Sequence, residues 1–143
     1  IGRNKMKFEF EIDSGTKIII DPPLEMVLKQ LEKLTGDTCK FCILEDTNSG
    51  SYIQCFGDHQ LQCIEYHHVE RGEYRHFLLG EGLMEQKKPW YQKIVSRFQS
   101  IGKDPQHHEW HTLEKTKQIF TYFYQLRSVP TSFQQRDITR FIK

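Results

Sequence analysis

Histidine, cysteine and carboxylate side chains carry whatever chemistry this chain offers, and three of its seven histidines fall within sixteen residues. That stretch, QCIEYHHVERGEYRHF at residues 62–77, also holds three glutamates and two arginines. Read as two strands turning at Glu70–Glu73, it pairs Val69 with Tyr74, His68 with Arg75, His67 with His76, Tyr66 with Phe77 and Glu65 with Leu78. Strand side chains alternate between faces. Glu65, His67, Val69, Tyr74, His76 and Leu78 therefore share one face, and Ile64, Tyr66, His68, Arg75, Phe77 and Leu79 the other. Two imidazoles and a diagonal carboxylate suffice for acid–base nuclease chemistry or for three metal ligands. A nuclease also wants a phosphate-holding Lys or Arg on the same face, and the hairpin supplies none. Two readings follow: a small nuclease using His67 and His76, or a polar face displayed to a protein partner. The second is the expectation, with the aromatic half of the hairpin turned to the core.

The remaining reactive groups are less organised. HHEWH at residues 107–111 gives His107 and His111 the spacing of a helical metal motif. Glu109, however, stands two residues after His107 rather than directly after it, and Pro105 with a capping Thr112 argues for a loop. Cys39-x-x-Cys42 invites a zinc or redox reading. Placed at the head of a strand, CKFCILE, the two would point to opposite faces. No second close Cys/His pair completes a zinc pattern, and Cys55 and Cys63 sit singly in other strands, so all four read as buried reduced thiols. No phosphate-binding glycine loop, nucleophile elbow or paired metal-binding carboxylate motif is present. The expectation is a non-enzyme with no cofactor and no metal.

These residues need a scaffold, and the chain has enough length and apolar content for one domain: 143 residues, 37% hydrophobic and 13% aromatic. Residues 6–143 read as that domain, with Met6 as the native start and Ile1–Lys5 as an expression remnant. No apolar run reaches a membrane span and no signal-peptide pattern opens the chain, which implies a cytoplasmic protein. Charge is unevenly spread despite a net +1. Residues 1–85 carry nine Lys/Arg against fifteen Asp/Glu, and residues 86–143 carry eleven against four. Lys87, Lys88, Lys93, Arg97 and Lys103, interleaved with Trp90, Tyr91 and Phe98, would suit a nucleic-acid-binding module. They equally suit a solvated helix face, and direct nucleic-acid binding is not expected.

Alternation in MKFEFEI predicts a half-buried strand, and TKIIID extends it or forms a second one. DPPLEMVLKQLEKLTGD predicts a helix with Asp21 as cap, prolines in the first turn and Gly36 at the end. Strand-like runs follow at 39–45, 51–56, 60–69 and 73–79, linked by DTNSG and GDH turns. YQKIVSRFQSIG reads as a helix or an extended edge. TLEKTKQIFTYFYQL reads as a helix capped by Thr112, with Leu113, Ile119, Phe120, Phe123 and Leu126 on one side. The fold class is α+β: a mainly antiparallel sheet of about five or six strands packed with two or three helices.

This order of elements carries a resemblance. PPLEMVLKQLEKLTG leads to FCILE, YIQCFG, QCIEYHH and YRHFLLG, and then to LEKTKQIFTYFYQLRSVP and a closing SFQQRDI. Over roughly residues 20–139 the chain resembles small bacterial immunity proteins encoded beside polymorphic toxins, including those of contact-dependent growth inhibition. The most specific pieces are Glu65-Tyr66 in a central strand and the tail LRSVPTSFQQRDI. The family's tail usually carries a tryptophan near the position held here by Gln135, and this chain lacks it. The resemblance implies a non-enzymatic bacterial cytoplasmic inhibitor that binds the C-terminal domain of one cognate toxin, often a nuclease, and occludes its active site. An interface of roughly 1,600 Å² with a few anchors would serve. By charge and expected exposure, Glu65, His67, Glu70, Glu73, Tyr74 and His76 form the expected contact set.

Overall fold

A computed structural model describes residues 5–36, 39–80 and 107–142. The first two strands, β1 (Met6–Ile12) and β2 (Gly15–Ile20), form a hairpin. Helix α1 (Leu24–Leu31) follows, then β3 (Phe41–Asp46), β4 (Tyr52–Gly57), β5 (Gln62–Glu70) and β6 (Glu73–Leu79). After a 3₁₀ turn at His107–Glu109 come β7 (Trp110–His111), helix α2 (Leu113–Leu126), β8 (Gln135–Asp137) and a second 3₁₀ turn at Thr139–Phe141. All eight strands among the described residues join one sheet in the order β2-β1-β3-β4-β5-β6-β8, with β7 paired to β5 beyond the end of β6. Every pairing is antiparallel.

The class is α+β as expected, with a larger sheet. The two extra strands come from β7 and β8, two and three residues long, which are too short to show a period. Residues 81–106, which include the YQKIVSRFQSIG segment and the basic residues 87–103, lie outside the described residues.

Alternation sets the main core. Met6, Phe8, Phe10, Cys42, Leu44, Ile53, Cys55, Ile64 and Tyr66 line one face of the sheet. Val27, Leu31 and Leu34 from the α1 region and Ile119, Phe120 and Phe123 from α2 cover them. Leu126, expected on that apolar side, is 59% exposed at the helix end. Thr112 caps α2 as read, its Oγ1 accepting from Lys115 N at 3.3 Å. Asp21 does not cap α1. It adopts φ +53, and its Oδ1 accepts from Met6 N at 3.0 Å, tying the chain to the start of β1. Pro23 is the N-cap of α1, whose regular part ends at Leu31 before 3₁₀-type bonds carry it to Leu34. Gly36 does adopt a left-handed φ of +81, five residues past the helix end.

On the opposite face a second, smaller core covers only the β5–β6–β8 end. Leu61, Cys63, Leu78, Trp110 and Ile138 form it, with Phe141 against them. The tail supplies two of these residues. Arg136 of β8 donates both Nε (2.9 Å) and Nη2 (2.8 Å) to the fully buried Glu109 carboxylate, pinning the tail to the turn before β7. The HHEWH segment thus packs as a loop and short strand. His111 is buried, and its Nε2 donates to Leu79 O at 3.0 Å. No helix among the described residues is long and apolar enough to cross a membrane.

Candidate functional site

The β5–β6 hairpin has the register expected from its sequence: Glu65 opposite Leu78, His67 opposite His76, Val69 opposite Tyr74. Its turn is Arg71-Gly72, with φ of +55 and +79, the left-handed pair that a two-residue hairpin turn matched to strand twist requires. One face of this hairpin carries a linear chain of polar contacts. Gln54 Nε2 donates to Glu65 Oε1 at 3.2 Å, the same oxygen meets His76 Nε2, and His76 Nδ1 meets His67 Nδ1 at 2.9 Å. Carboxylate and imidazole side chains at Glu65 and His76 are 5% and 1% exposed.

Hydrogen-bond logic assigns the tautomers. A carboxylate only accepts, so His76 presents Nε2–H to Glu65. With His76 neutral, its Nδ1 accepts the Nδ1–H of His67, and His67 Nε2 is left holding the lone pair at the outer end of the relay. Burial, with help from the neighbouring imidazole of His76, holds the pKa of His67 below the ordinary histidine value.

Two tyrosines fix the His67 ring. Tyr52, its cross-strand partner on β4, stacks at 4.7 Å between centroids and 15° between planes. Tyr74, diagonal on β6, stacks at 4.8 Å and 29°. Burial first, and Glu65 second, push the Tyr52 phenol pKa upward, so that phenol stays protonated. The ring of His67 is therefore a rigid, half-buried element flanked by aromatics. Along the same cross-strand row lie Glu45 and Lys7, which pair at 3.2 Å, so this lysine is already engaged by a carboxylate.

The six expected contact residues divide. His67, Glu70, Glu73 and Tyr74 reach the surface, and Tyr74 is 43% exposed. Glu65 and His76 lie beneath it, because the tail closes over them. His76 N donates to Thr139 Oγ1 at 2.9 Å, Ile138 N donates to His76 O at 2.8 Å, and Ile138 fills the space alongside. Exposure was expected for these two from the hairpin alone, and the residues that cover them stand some sixty positions later. Both support His67 from behind; neither can touch a partner directly.

Sequence reasoning missed Tyr52 and Gln54. Their places were readable once β4 and β5 are joined by a short turn, since Tyr52 then opposes His67 and Gln54 opposes Glu65. On the other face of the hairpin Tyr66 Oη and His68 Nδ1 lie 2.8 Å apart, beside a groove of about 700 Å³. Tyr66, His68, Arg75, Phe77 and Ser128 are among its lining. The groove extends to the hairpin tip, where Tyr74, which stacks on His67, also lines it. Among the described residues no group of three His, Cys, Asp or Glu has the arrangement of a metal site.

Comparisons with protein-family models, with curated proteins and with solved structures find no match to this chain.

Proposed function

We propose that the chain is an immunity protein, a non-enzymatic inhibitor that binds the C-terminal domain of a cognate toxin, most plainly a nuclease, and occludes its active site. The observation that carries this reading is the Tyr52–His67–Tyr74 stack, held rigid from behind by the buried Glu65–His76 pair. Pre-ordered tyrosines lose little entropy on binding and make typical interface anchors. Glu70 and Glu73 at the hairpin tip, and Glu9 and Glu45 on the same sheet face as His67, add carboxylates suited to a basic nuclease cleft. The order of elements from α1 through the tail, read above from the sequence, agrees with it.

Co-expression with the toxin domain encoded immediately upstream tests the proposal. Protection of the cells and co-purification of the pair are expected, with Tyr74→Ala and His67→Ala each weakening the complex at least tenfold, about 1.4 kcal/mol, if they are anchors. Absence of both protection and co-purification would remove the reading.

One observation favours a second reading. A buried carboxylate, a buried imidazole and an outward imidazole in series resemble a general-base relay, with His67 Nε2 as the proton acceptor. Nuclease action would further need a cation to hold phosphate, and Lys7 on this row is engaged by Glu45. RNA and DNA cleavage by the purified chain, lost in His67→Ala, would establish this alternative in place of the first.

A further inference from the structure

We infer that β2 is an interface for a second copy of this chain, the two edge strands pairing antiparallel about a two-fold axis at Ile19. Strand β2 ends the sheet: it pairs with β1 on one side, and among the described residues nothing pairs with it on the other. At the end of the hairpin Asp21 N donates to Met6 O at 2.8 Å, so this pair is a hydrogen-bonded one. Such pairs alternate along an antiparallel ladder. Lys17 and Ile19 therefore turn their backbone groups to β1, and Thr16, Ile18 and Ile20 turn theirs outward.

Natural edges are blunted by charge, proline or a bulge. This one pairs with β1 without a bulge and carries three consecutive isoleucines. Its one charge, Lys17, lies on the α1 side, where a groove of about 500 Å³ is also lined by Ile12, Ile19 and Met26. Ile18 and Ile20, on the other face, are 52% and 55% exposed, and Ile12 and Met26 are exposed as well. Four of the six exposed large hydrophobic side chains among the described residues thus gather at one edge of the sheet. A contiguous apolar patch of this kind marks an interaction surface.

The strand is its own complement in one register. With Ile19 opposite Ile19 of the second copy, Ile18 lies opposite Ile20 and Lys17 opposite Asp21. Each Ile18–Ile20 pair exchanges two backbone hydrogen bonds, because both residues face outward. Four isoleucines then cover one another on one face. On the other, the two Ile19 side chains, already packed against the main core, extend it across the junction. Lys17 meets the carboxylate of Asp21, of which Met6 N occupies only Oδ1. A slide of two residues would instead set Ile20 against Thr16 and Lys17 against Ile19. This self-match, which a foreign strand would not need, selects a second copy as the occupant. About five residues a side are paired, against roughly 20–30 in a standard interface, so association is weak and reversible. The Tyr52–His67–Tyr74 stack begins three strands away and stays open in the dimer, so the inference does not rest on the proposed function.

The test is sedimentation equilibrium of the full chain between about 10 µM and 1 mM, where an interface below the standard size associates. The weight-average mass should rise from that of one chain toward that of two. Ile18→Lys, at an exposed site, should hold it at one chain throughout and leave the urea midpoint unchanged. Under mild oxidation Ile19→Cys should link two chains at least about tenfold faster than Ile18→Cys. Opposed Cα atoms in a pair without hydrogen bonds lie about 4.5 Å apart, within disulfide reach, whereas the two Ile18 positions are diagonal, about 7–8 Å apart. The unsubstituted chain, with its buried cysteines, gives the background rate. A native chain that keeps the mass of one copy at the highest concentration overturns the inference without need of any variant. Equal cross-linking at the two positions also overturns it. So does an Ile18 amide whose exchange slows only when the upstream toxin domain is added, which would give the edge to a strand of that partner.

Discussion

Replacing His76 with phenylalanine tests whether the relay is a structural brace. The side chains of Glu65 and His76 are almost wholly buried, and the carboxylate's other hydrogen bond comes from Gln54 at 3.2 Å. Removing the hydrogen-bond donor of a buried acceptor costs about 1–3 kcal/mol, and more when the acceptor is charged, because the carboxylate stays desolvated with one partner fewer. The charge on Glu65 places the expected loss at about 3 kcal/mol, and the retained Gln54 amide and the ring volume filled by Phe keep it from going higher. For a chain of this size that is about 10 °C in Tm. Glu65→Gln in the same background removes the uncompensated charge, so the double variant should regain most of the loss. Urea denaturation followed by circular dichroism measures both, and the double-mutant cycle should give a coupling of about 2 kcal/mol. His67→Ala should cost much less, since its ring is partly exposed and tied to the relay at one nitrogen only. A His76→Phe penalty below about 1 kcal/mol, or additive effects at the two positions, would refute the brace. It would also leave the buried pair in need of a different, catalytic explanation.

Three further outcomes are expected. Gly57 has φ +137, and a Cβ there would sit 2.2 Å from Leu61 O, so Gly57→Ala should cost about 3 kcal/mol or more. Gly72, with φ +79 and open space around it, should lose only about 1 kcal/mol on the same change; equal midpoints in urea would contradict the contrast. Arg136→Met removes both hydrogen bonds donated to the buried Glu109 and should lower stability by about 3 kcal/mol, measured by the same denaturation and contradicted by a loss under about 1 kcal/mol. As for pH, burial depresses the pKa of both His111 and His67, so below about pH 6.5 the unfolded chain binds protons that the folded chain refuses. Stability should therefore rise with pH through that window and level off above it, by at most about 1.4 kcal/mol per pH unit for each group. The more exposed His67 should contribute well under that limit. Urea midpoints that fall between pH 5.5 and 7.5, or a slope unchanged in His111→Gln, would count against this.

The sheet was legible where its strands are long and joined by compact turns. MKFEFEI, FCILE, YIQCFG and the hairpin at 62–79 each alternate over at least five residues, and their registers follow from the turns between them. Helix α2 declared itself by its Thr112 cap and by Ile119, Phe120 and Phe123. Illegible were the pieces whose conformation is imposed from elsewhere. WH and QRD become strands only because β5 and β6 offer free edges to them, and Asp21 abandons a capping role because Met6 N lies within its reach. Cys39 was misjudged for a related reason. Alternation was applied two residues before the strand starts, whereas Cys39 packs in the same buried core as Cys42.

Reading the hairpin in isolation also explains why two of the six candidate residues are buried and four exposed or half-exposed. Alternation determines which side chains share a face, and it correctly gathered Glu65, His67, Tyr74 and His76 together. It carries no information about what covers that face. Covering depends on Ile138 and Thr139, brought in by the pairing of β8 with β6. Once the tail is in place the four residues separate into an inner pair, which is costly to disturb, and an outer pair flanked by Tyr52. A surface built this way separates stability from recognition: His76 and Glu65 can be probed by denaturation, and His67 and Tyr74 by partner binding. If the immunity reading holds, substitutions at the outer pair should therefore lower toxin affinity with little change in the urea midpoint. Tyr74→Ala and His67→Ala, measured in both assays, decide it, and parallel losses in the two would mean that the stack serves the fold rather than a partner.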